Sequence, residues 1–536
     1  MTNWRSKLHT LSHSTSFIWK CSGAIIIASL LAAQLAQSFR DRATYKTPSL
    51  AEVAFDEWVL RAKEIYTRLE LSEQPRPDAL ADFLRILKPV SPEQSFNPVA
   101  LRYGPLDFPA LFRKHLESEV QGEVFADFMR CRLLEESSAR QEAWQRLQVA
   151  AMQPQPVRFA NEFVADLLMV QEHRAEALKA YAREGSFADA HRARSLACST
   201  ALILQDKNAL RTLCEDSRFR EDMGVFTRFH VASLLEDQWM MVRSVGAVLW
   251  HRWTHSKEIP LALLAASVWY LILVYSARRE RWRWLRYLPA VLAGVLSVCL
   301  LHWWQGALHF GMSEEQQLTP THEIFQWVMY VGVPEEVAKL LFFLPFIPFL
   351  LKNGSPSKAA LTAGCVGLGF ALDENLGYYQ DDGGTAAVGR FVTANFMHIA
   401  LTGILGGWLY ELLRSRFHKA TEFLLAFLGV AAAHGVYDFS STESAQNLGV
   451  DLIGIVILAL AARFYLDHLR PEDVTMRRRT ISCTFVFCIG CSLLTGVAIL
   501  LAVDQAGSMK GAVAALRQTV AIIPVALIYV REFREL

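Results

Sequence analysis

Charge of either sign is scarce in this chain and almost balanced. Only 20 % of its 536 residues are Asp, Glu, Lys or Arg, and 54 basic against 53 acidic side chains leave a net charge of +1. Without a global field, nucleic acid is not an expected partner. Cysteine is sparse and odd in number: of nine, six (Cys21, Cys299, Cys365, Cys483, Cys488, Cys491) fall inside apolar runs, where a thiol behaves as a small hydrophobe. No CxxC pair suggests a zinc or redox motif, since Cys488 and Cys491 lie within such a run. HExxH is absent, and no segment alternates with the period of two that a half-buried strand requires. What the chain has in excess is apolar residues, 52 % of the total, concentrated after Pro260 in blocks of roughly the 20 residues that span a bilayer as a helix.

The first such block, about Cys21 to Ala36, comes after a leader carrying Arg5, Lys7 and Lys20, the arrangement of a signal anchor with its N-terminus in the cytoplasm. A cleaved signal is the alternative, because Leu35-Ala36-Gln37-Ser38 offers small residues near a cut. In either case residues 39–242 form an extracytoplasmic domain. Phe55, Trp58, Ala62, Ile65 and Leu69 recur at helical spacing, and Ala175 to Asp216 reads as short Ala- and Leu-rich helices broken at Glu184-Gly185-Ser186 and Gln205-Asp206-Lys207-Asn208. A tetratricopeptide-like solenoid is the expected form. Its cysteines, Cys131, Cys198 and Cys214, are expected as packed thiols.

Nine further blocks lie at 261–275, 288–303, 324–350, 359–378, 388–412, 422–439, 448–464, 481–502 and 513–530, giving about ten spans. Basic clusters at Arg278 to Arg283, Lys352 with Lys358, Arg414 to Lys419, Arg470 to Arg479, and Arg531 with Arg534 fall on alternate loops, which are cytoplasmic by the positive-inside rule. Both termini are then cytoplasmic. The expected protein is all-α: an anchor (1–38), an exported helical domain (39–242) and a polytopic bundle (243–536) whose core motifs occupy 324–439.

Within those blocks stand residues that hydrocarbon rejects. Glu335, Glu336 and Lys339 occupy one, and a charge at mid-membrane costs about 2.5–3.5 kcal/mol, so the three must face the protein interior. Glu335 and Lys339, four apart, share a helix face, while Glu336 is expected to point elsewhere. Pro334 is expected to kink the helix there. The next block carries Asp373, Glu374 and Asn375 after close-packing glycines, the next His398 with Thr402 and Gly403, and the next His434 with Asp438 four residues on, where a carboxylate can fix the ring's tautomer. At ~1.5 Å per residue, Glu335 and His398 lie about 15 Å from the outer helix ends and Glu374 and His434 about 9 Å. That is a polar chamber facing the exported side. A proton or ion relay, or an inactive scaffold, are the competing readings.

On these four clusters the sequence resembles the PrsW family of intramembrane proteases, distantly related to CAAX-processing proteases. The matching residues are Glu335-Glu336-Val337-Ala338-Lys339, Gly369-Phe370-Ala371-Leu372-Asp373-Glu374-Asn375, His398 with Gly403, and His434-Gly435-Val436-Tyr437-Asp438. Val337 and Tyr437 stand where an aromatic and Trp are common, and neither change removes a chemical group. The resemblance implies hydrolysis of membrane-anchored proteins in a bacterial cytoplasmic membrane, a site-1 type cut such as that of an anti-sigma factor. Without a credible Ser or Cys nucleophile, water is the expected one. His398, His434 and one carboxylate, Glu374 or Glu335, would hold Zn²⁺ with Glu336 as base. Alternatively no metal binds: Glu335 or Glu336 activates water, a histidine serves as acid or oxyanion donor, and Asn375 supplies an amide hydrogen bond. Lys339, Asn375 and Asp438 support the catalytic set Glu335, Glu336, Glu374, His398 and His434.

Overall fold

The computed structural model describes residues 3–43, 119–133, 138–276, 283–308, 319–382, 384, 386–450, 452–469, 481–506 and 508–533. Among these, every regular element is a helix. The expected helix from Phe55 to Leu69, most of the basic loop 278–283 and the loop 470–479 lie outside the described residues. The chain divides into two compact units, Lys46–Val248, and Met1–Tyr45 together with Leu249–Leu536.

In the first unit, Ala160–Val170, Arg174–Glu184, His191–Ile203 and Lys207–Glu215 are short successive helices. Each packs on its sequence neighbour through small or slender side chains such as Ala177, Ala193, Ala197, Ala201 and Leu210. The break before the last of them is made by Asp206, whose carboxylate accepts from the free N–H groups of Asn208 and Ala209. Charges buried between the helices pair with one another: Arg158 with Glu162 and Glu184, and Arg192 with Glu162 and Asp166. Cys131, Cys198 and Cys214 are free thiols, and burial pushes the Cys198 thiol up to about 12, so it stays protonated and unreactive.

In the second unit, five helices among the described residues are long and apolar enough to cross a bilayer: Thr15–Ser38, Leu285–Ala307, Ala387–Arg414, Ala420–Ser440 and Cys483–Asp504. Two bent pairs, Gln238–His255 with Ile259–Tyr275 at 95° and Lys510–Ala521 with Ile523–Glu532 at 48°, raise this to as many as seven. The remaining apolar blocks are helical but shorter, more polar or broken. Ile453–Leu469 has 17 residues, and Pro356–Asp382 is diluted by Asp373, Glu374 and its acidic end. The 324–350 block is broken most: a π turn at Trp327–Gly332, an α-helix at Val333–Phe343, a 3₁₀ turn at Leu344–Phe346 and a last helix at Ile347–Asn353. Pro334, Pro345 and Pro348 each enter a new piece near its first position, where the missing N–H is tolerated.

Seven helices surround the polar residues and are labelled in chain order: α1 Gln238–His255, α2 Leu288–Leu308, α3 Val333–Phe343, α4 Pro356–Asp382, α5 Ala394–Arg414, α6 Ala420–Ser440 and α7 Ile453–Leu469. Backbone contact rather than side-chain interdigitation sets their spacing. A Cβ added at Gly367 of α4 would overlap the His398 carbonyl oxygen of α5, and one at Gly369 would overlap the Val291 oxygen of α2. On the other flank, a Cβ at Gly435 of α6 would meet Val328 of the π turn at 2.5 Å. Such approach without a hydrophobic driving force is how membrane helices gain dispersion contact. Because α4 and α5 touch where His398 begins its turn, Gly367→Ala must push them apart. It is expected to destabilise the fold by about 1–3 kcal/mol, read as a lowered midpoint of thermal unfolding in detergent.

Candidate functional site

The π turn ends where α3 starts, and an inserted residue of this kind rotates the next turn about the helix axis, a feature common at functional sites. The first turn of α3 thereby delivers Glu335 and Glu336 to the interior, both buried, with Lys339 fully buried one turn later. On α5, Asn395, His398 and Thr402 succeed one another at spacings of three and four, so they form one stripe toward α3 and α4. Helix α4 contributes Asp373, Glu374 and Asn375, and α6 contributes His434 and Asp438.

Lys339 is the hub. Its ammonium lies 2.9 Å from Glu336 Oε1, 3.2 Å from Glu335 Oε2 and 2.9 Å from His398 Nδ1, and sits 3.9 Å from the centre of the Phe370 ring. The sequence leads one to expect Glu336 to turn away from Lys339. Instead the lysine stem reaches both carboxylates, since residues three and four before it lie on the same face. Glu336 is saturated: Oε1 also faces His434 Nδ1 at 2.9 Å, and Oε2 accepts from the Thr402 hydroxyl at 3.0 Å.

The two imidazoles are fixed by different partners. An ammonium only donates, so His398 accepts at Nδ1, carries its proton on Nε2 and donates it to Glu374 Oε2 at 2.6 Å. His434 is anchored at Nδ1 by Glu336, not by Asp438 as its spacing suggests. Asp438 and Glu335 each stand 3.5 Å from Nε2, long for a hydrogen bond. The carboxylate from α3 reaches the ring more closely than the one a turn away on its own helix.

Glu374 joins the cluster to its surroundings. Its Oε1 lies 3.2 Å from Arg390 Nη2, and Arg390 stacks 3.6 Å over Tyr378. The side chains of Glu374, Arg390 and Asp438 are 24, 21 and 25 % exposed, whereas those of Glu336 and Lys339 are wholly enclosed, so the site opens on this edge alone among the groups named. Asp373 turns the other way. Fully buried, it accepts from Arg252 Nη1 at 2.7 Å and Trp253 Nε1 at 2.6 Å, which resolves which of the adjacent acids faces the histidines. Asn375, expected to offer its amide, spends it on Asn395 Oδ1 and accepts from Arg390 Nε.

Sequence reading missed Arg390, Asn395, Arg252 and Trp253. Asn395 was detectable as a polar residue one turn before His398 on the same stripe. Arg390 was detectable too, as a charge inside the 388–412 apolar block, whereas Arg252 and Trp253 left no usable signal, being about 120 residues from Asp373.

Glu335, His398 and His434 each offer a ligand atom within 4.8 Å of the others. Two imidazoles and a carboxylate suit a divalent transition ion, and the chemistry of this donor set fits one. His434 presents Nε2 ready, while His398 would exchange one of its two present contacts. Of the two carboxylates the sequence offered as third ligand, Glu335 is the one grouped with both rings; Glu374 serves as the hydrogen-bond partner of His398.

The site is thus a buried carboxylate–imidazole cluster held by apolar helices, with its partly exposed side chains on one edge. Residues 280–464, about a third of the chain, match the model of the PrsW family intramembrane metalloprotease, which supports a protease domain there. The match takes in every member of the cluster except Arg252 and Trp253. No curated protein and no solved structure matches the chain.

Removing the hub tests the electrostatics directly. Lys339→Met leaves two buried carboxylates without their counter-charge and is expected to cost about 3–5 kcal/mol, read from thermal unfolding of the purified protein. An unchanged midpoint would mean the carboxylates are held neutral.

Proposed function

We propose that this domain cuts membrane-anchored proteins near their extracytoplasmic juxtamembrane segment, the first cut in regulated proteolysis of a substrate such as an anti-sigma factor. The observation that carries this reading is the single open edge at Glu374, Arg390 and Asp438 on an otherwise sealed cluster. An extended peptide and a water can meet only there.

In this reading the base is Glu374 rather than the Glu335 or Glu336 expected from the sequence, because Glu374 is the glutamate of the set on the partly exposed edge. It is partly exposed and polarised by His398 on one oxygen and Arg390 on the other. As that proton transfers, the water oxygen bonds to the carbonyl carbon and the C=O electron pair moves onto its oxygen. Collapse then breaks the C–N bond, and the proton held by Glu374 passes to the departing nitrogen. Glu336, fully buried, orients His434, and Lys339 balances the charge of the set. A divalent ion held by Glu335, His398 and His434 would supply Lewis acidity toward water and carbonyl. In that case the purified protein carries the ion stoichiometrically by elemental analysis, His434→Ala loses it, and Asp438→Asn keeps it.

The broken and shorter apolar helices also cross the membrane in this reading, giving about ten passages with both termini cytoplasmic. Residues 39–242 then lie outside as a solenoid-like domain that selects substrates, a role supported by its run of short neighbouring helices. The decisive experiment compares, by N-terminal peptide mapping, membranes carrying the native chain, Glu336→Gln and a chain lacking residues 41–242. New N-termini near transmembrane segments are expected with the native chain alone. Cuts confined to cytoplasmic ends would overturn the site of cleavage, and unchanged cuts in the deletion would overturn substrate selection. Identical maps for native and Glu336→Gln, with an altered ion flux, would replace proteolysis with a relay.

A further inference from the structure

We infer that Asn395 supplies the amide donor that receives the carbonyl oxygen of the scissile peptide, and that Arg390 and Asn375 exist partly to aim it. The inference rests on the proteolytic reading above. It begins with a side chain that only donates. Arg390 Nε is bonded to an oxygen of Asn375, and a guanidinium has no lone pair to offer, so that atom of Asn375 must be Oδ1. Asn375 Nδ2 therefore faces Asn395, and an amide N–H₂ also only donates. The Asn395 atom it meets must be Oδ1. Both amide orientations, ambiguous in isolation, are thus fixed by the arginine.

The consequence falls on the last atom of the relay. Asn395 is 1 % exposed, and its Nδ2 has no hydrogen-bond partner among the described residues. A buried donor left unmade costs about 1–3 kcal/mol. A simple flip would not relieve it, because that would set its N–H₂ against the N–H₂ of Asn375. Asn395 also lies one turn from His398 on the stripe facing the cluster, and its relay ends at Arg390 on the open edge. A buried donor held unsatisfied one turn before His398 and bonded through its oxygen to the residue next to Glu374 is what an oxyanion site requires, since its hydrogen bond forms fully only as charge develops on the carbonyl oxygen.

Asn395→Asp keeps the oxygen that accepts from Asn375 and removes the donor. Relative to native chain, and normalised to protein abundance, the rate of Glu336-dependent cutting in isolated membranes is expected to fall about 10²- to 10³-fold. Asn375→Asp is expected to show a similar loss, because Asn395 would then turn its amide into the new carboxylate. One readout separates this from a packing role. Protonation of the carboxyl group introduced by Asn395→Asp restores an O–H donor, so the ratio of Asn395→Asp to native activity should rise as pH falls. Asn395→Asp cutting within a few-fold of native, or a ratio flat with pH, overturns the inference while leaving proteolysis intact. Absence of any Glu336-dependent N-terminus removes both.

Discussion

Everything polar in the membrane unit is organised around one buried ammonium. Lys339 has three protons and spends them on Glu335, Glu336 and His398, with the face of Phe370 beneath it. Because an ammonium cannot accept, its position dictates the tautomer of His398, and through it the bond to Glu374 and on to Arg390. Through Glu336 it equally dictates the orientation of His434. Desolvating so many charges costs more than any one pair returns. The cluster is tolerable only because every member but the outermost is matched by another, and the geometry is correspondingly rigid.

That matching depends on contacts no wider than a hydrogen bond, and the glycines supply them. With Gly367 against the His398 carbonyl and Gly435 against Val328, α4, α5, α6 and the π turn stand at backbone distance. A chain with larger residues there would hold the carboxylates and rings apart, each then buried alone. Helix packing and site chemistry are one constraint in this protein. The π turn contributes by rotating Glu335 and Glu336 inward at the position where a regular helix would carry them elsewhere around the axis.

The helical class and the cluster's membership were legible because charged residues inside apolar runs admit few explanations. Which atoms meet was less so. Periodicity describes one helix at a time, so it paired His434 with Asp438 and missed that Glu336 arrives from another helix. It likewise turned Glu336 away from Lys339, ignoring the reach of a four-carbon stem. Hydropathy marks apolar blocks but not their continuity; Pro345 and Pro348 in the 324–350 block, together with Pro334, mark the breaks that the structure contains. Arg252 and Trp253 on Asp373 had no local trace at all, being a contact between remote parts of the chain.

The pattern of satisfied and unsatisfied atoms then says where a substrate belongs. Glu336 is bonded at both oxygens and enclosed, Lys339 has used its three protons, and Asp373 is locked to α1. What is left open is His434 Nε2, touched only at 3.5 Å, and the Asn395 amide, with Glu374 partly exposed though paired at both oxygens. An acceptor and a donor left unfinished beside a base, in a network where Glu335, Glu336, Lys339 and His398 are paired among themselves, mark the place where a peptide's own polar groups would complete the set. Of the three only Glu374 is partly exposed; the Asn395 amide and His434 are enclosed, so donor and acceptor are kept from water until a substrate reaches them.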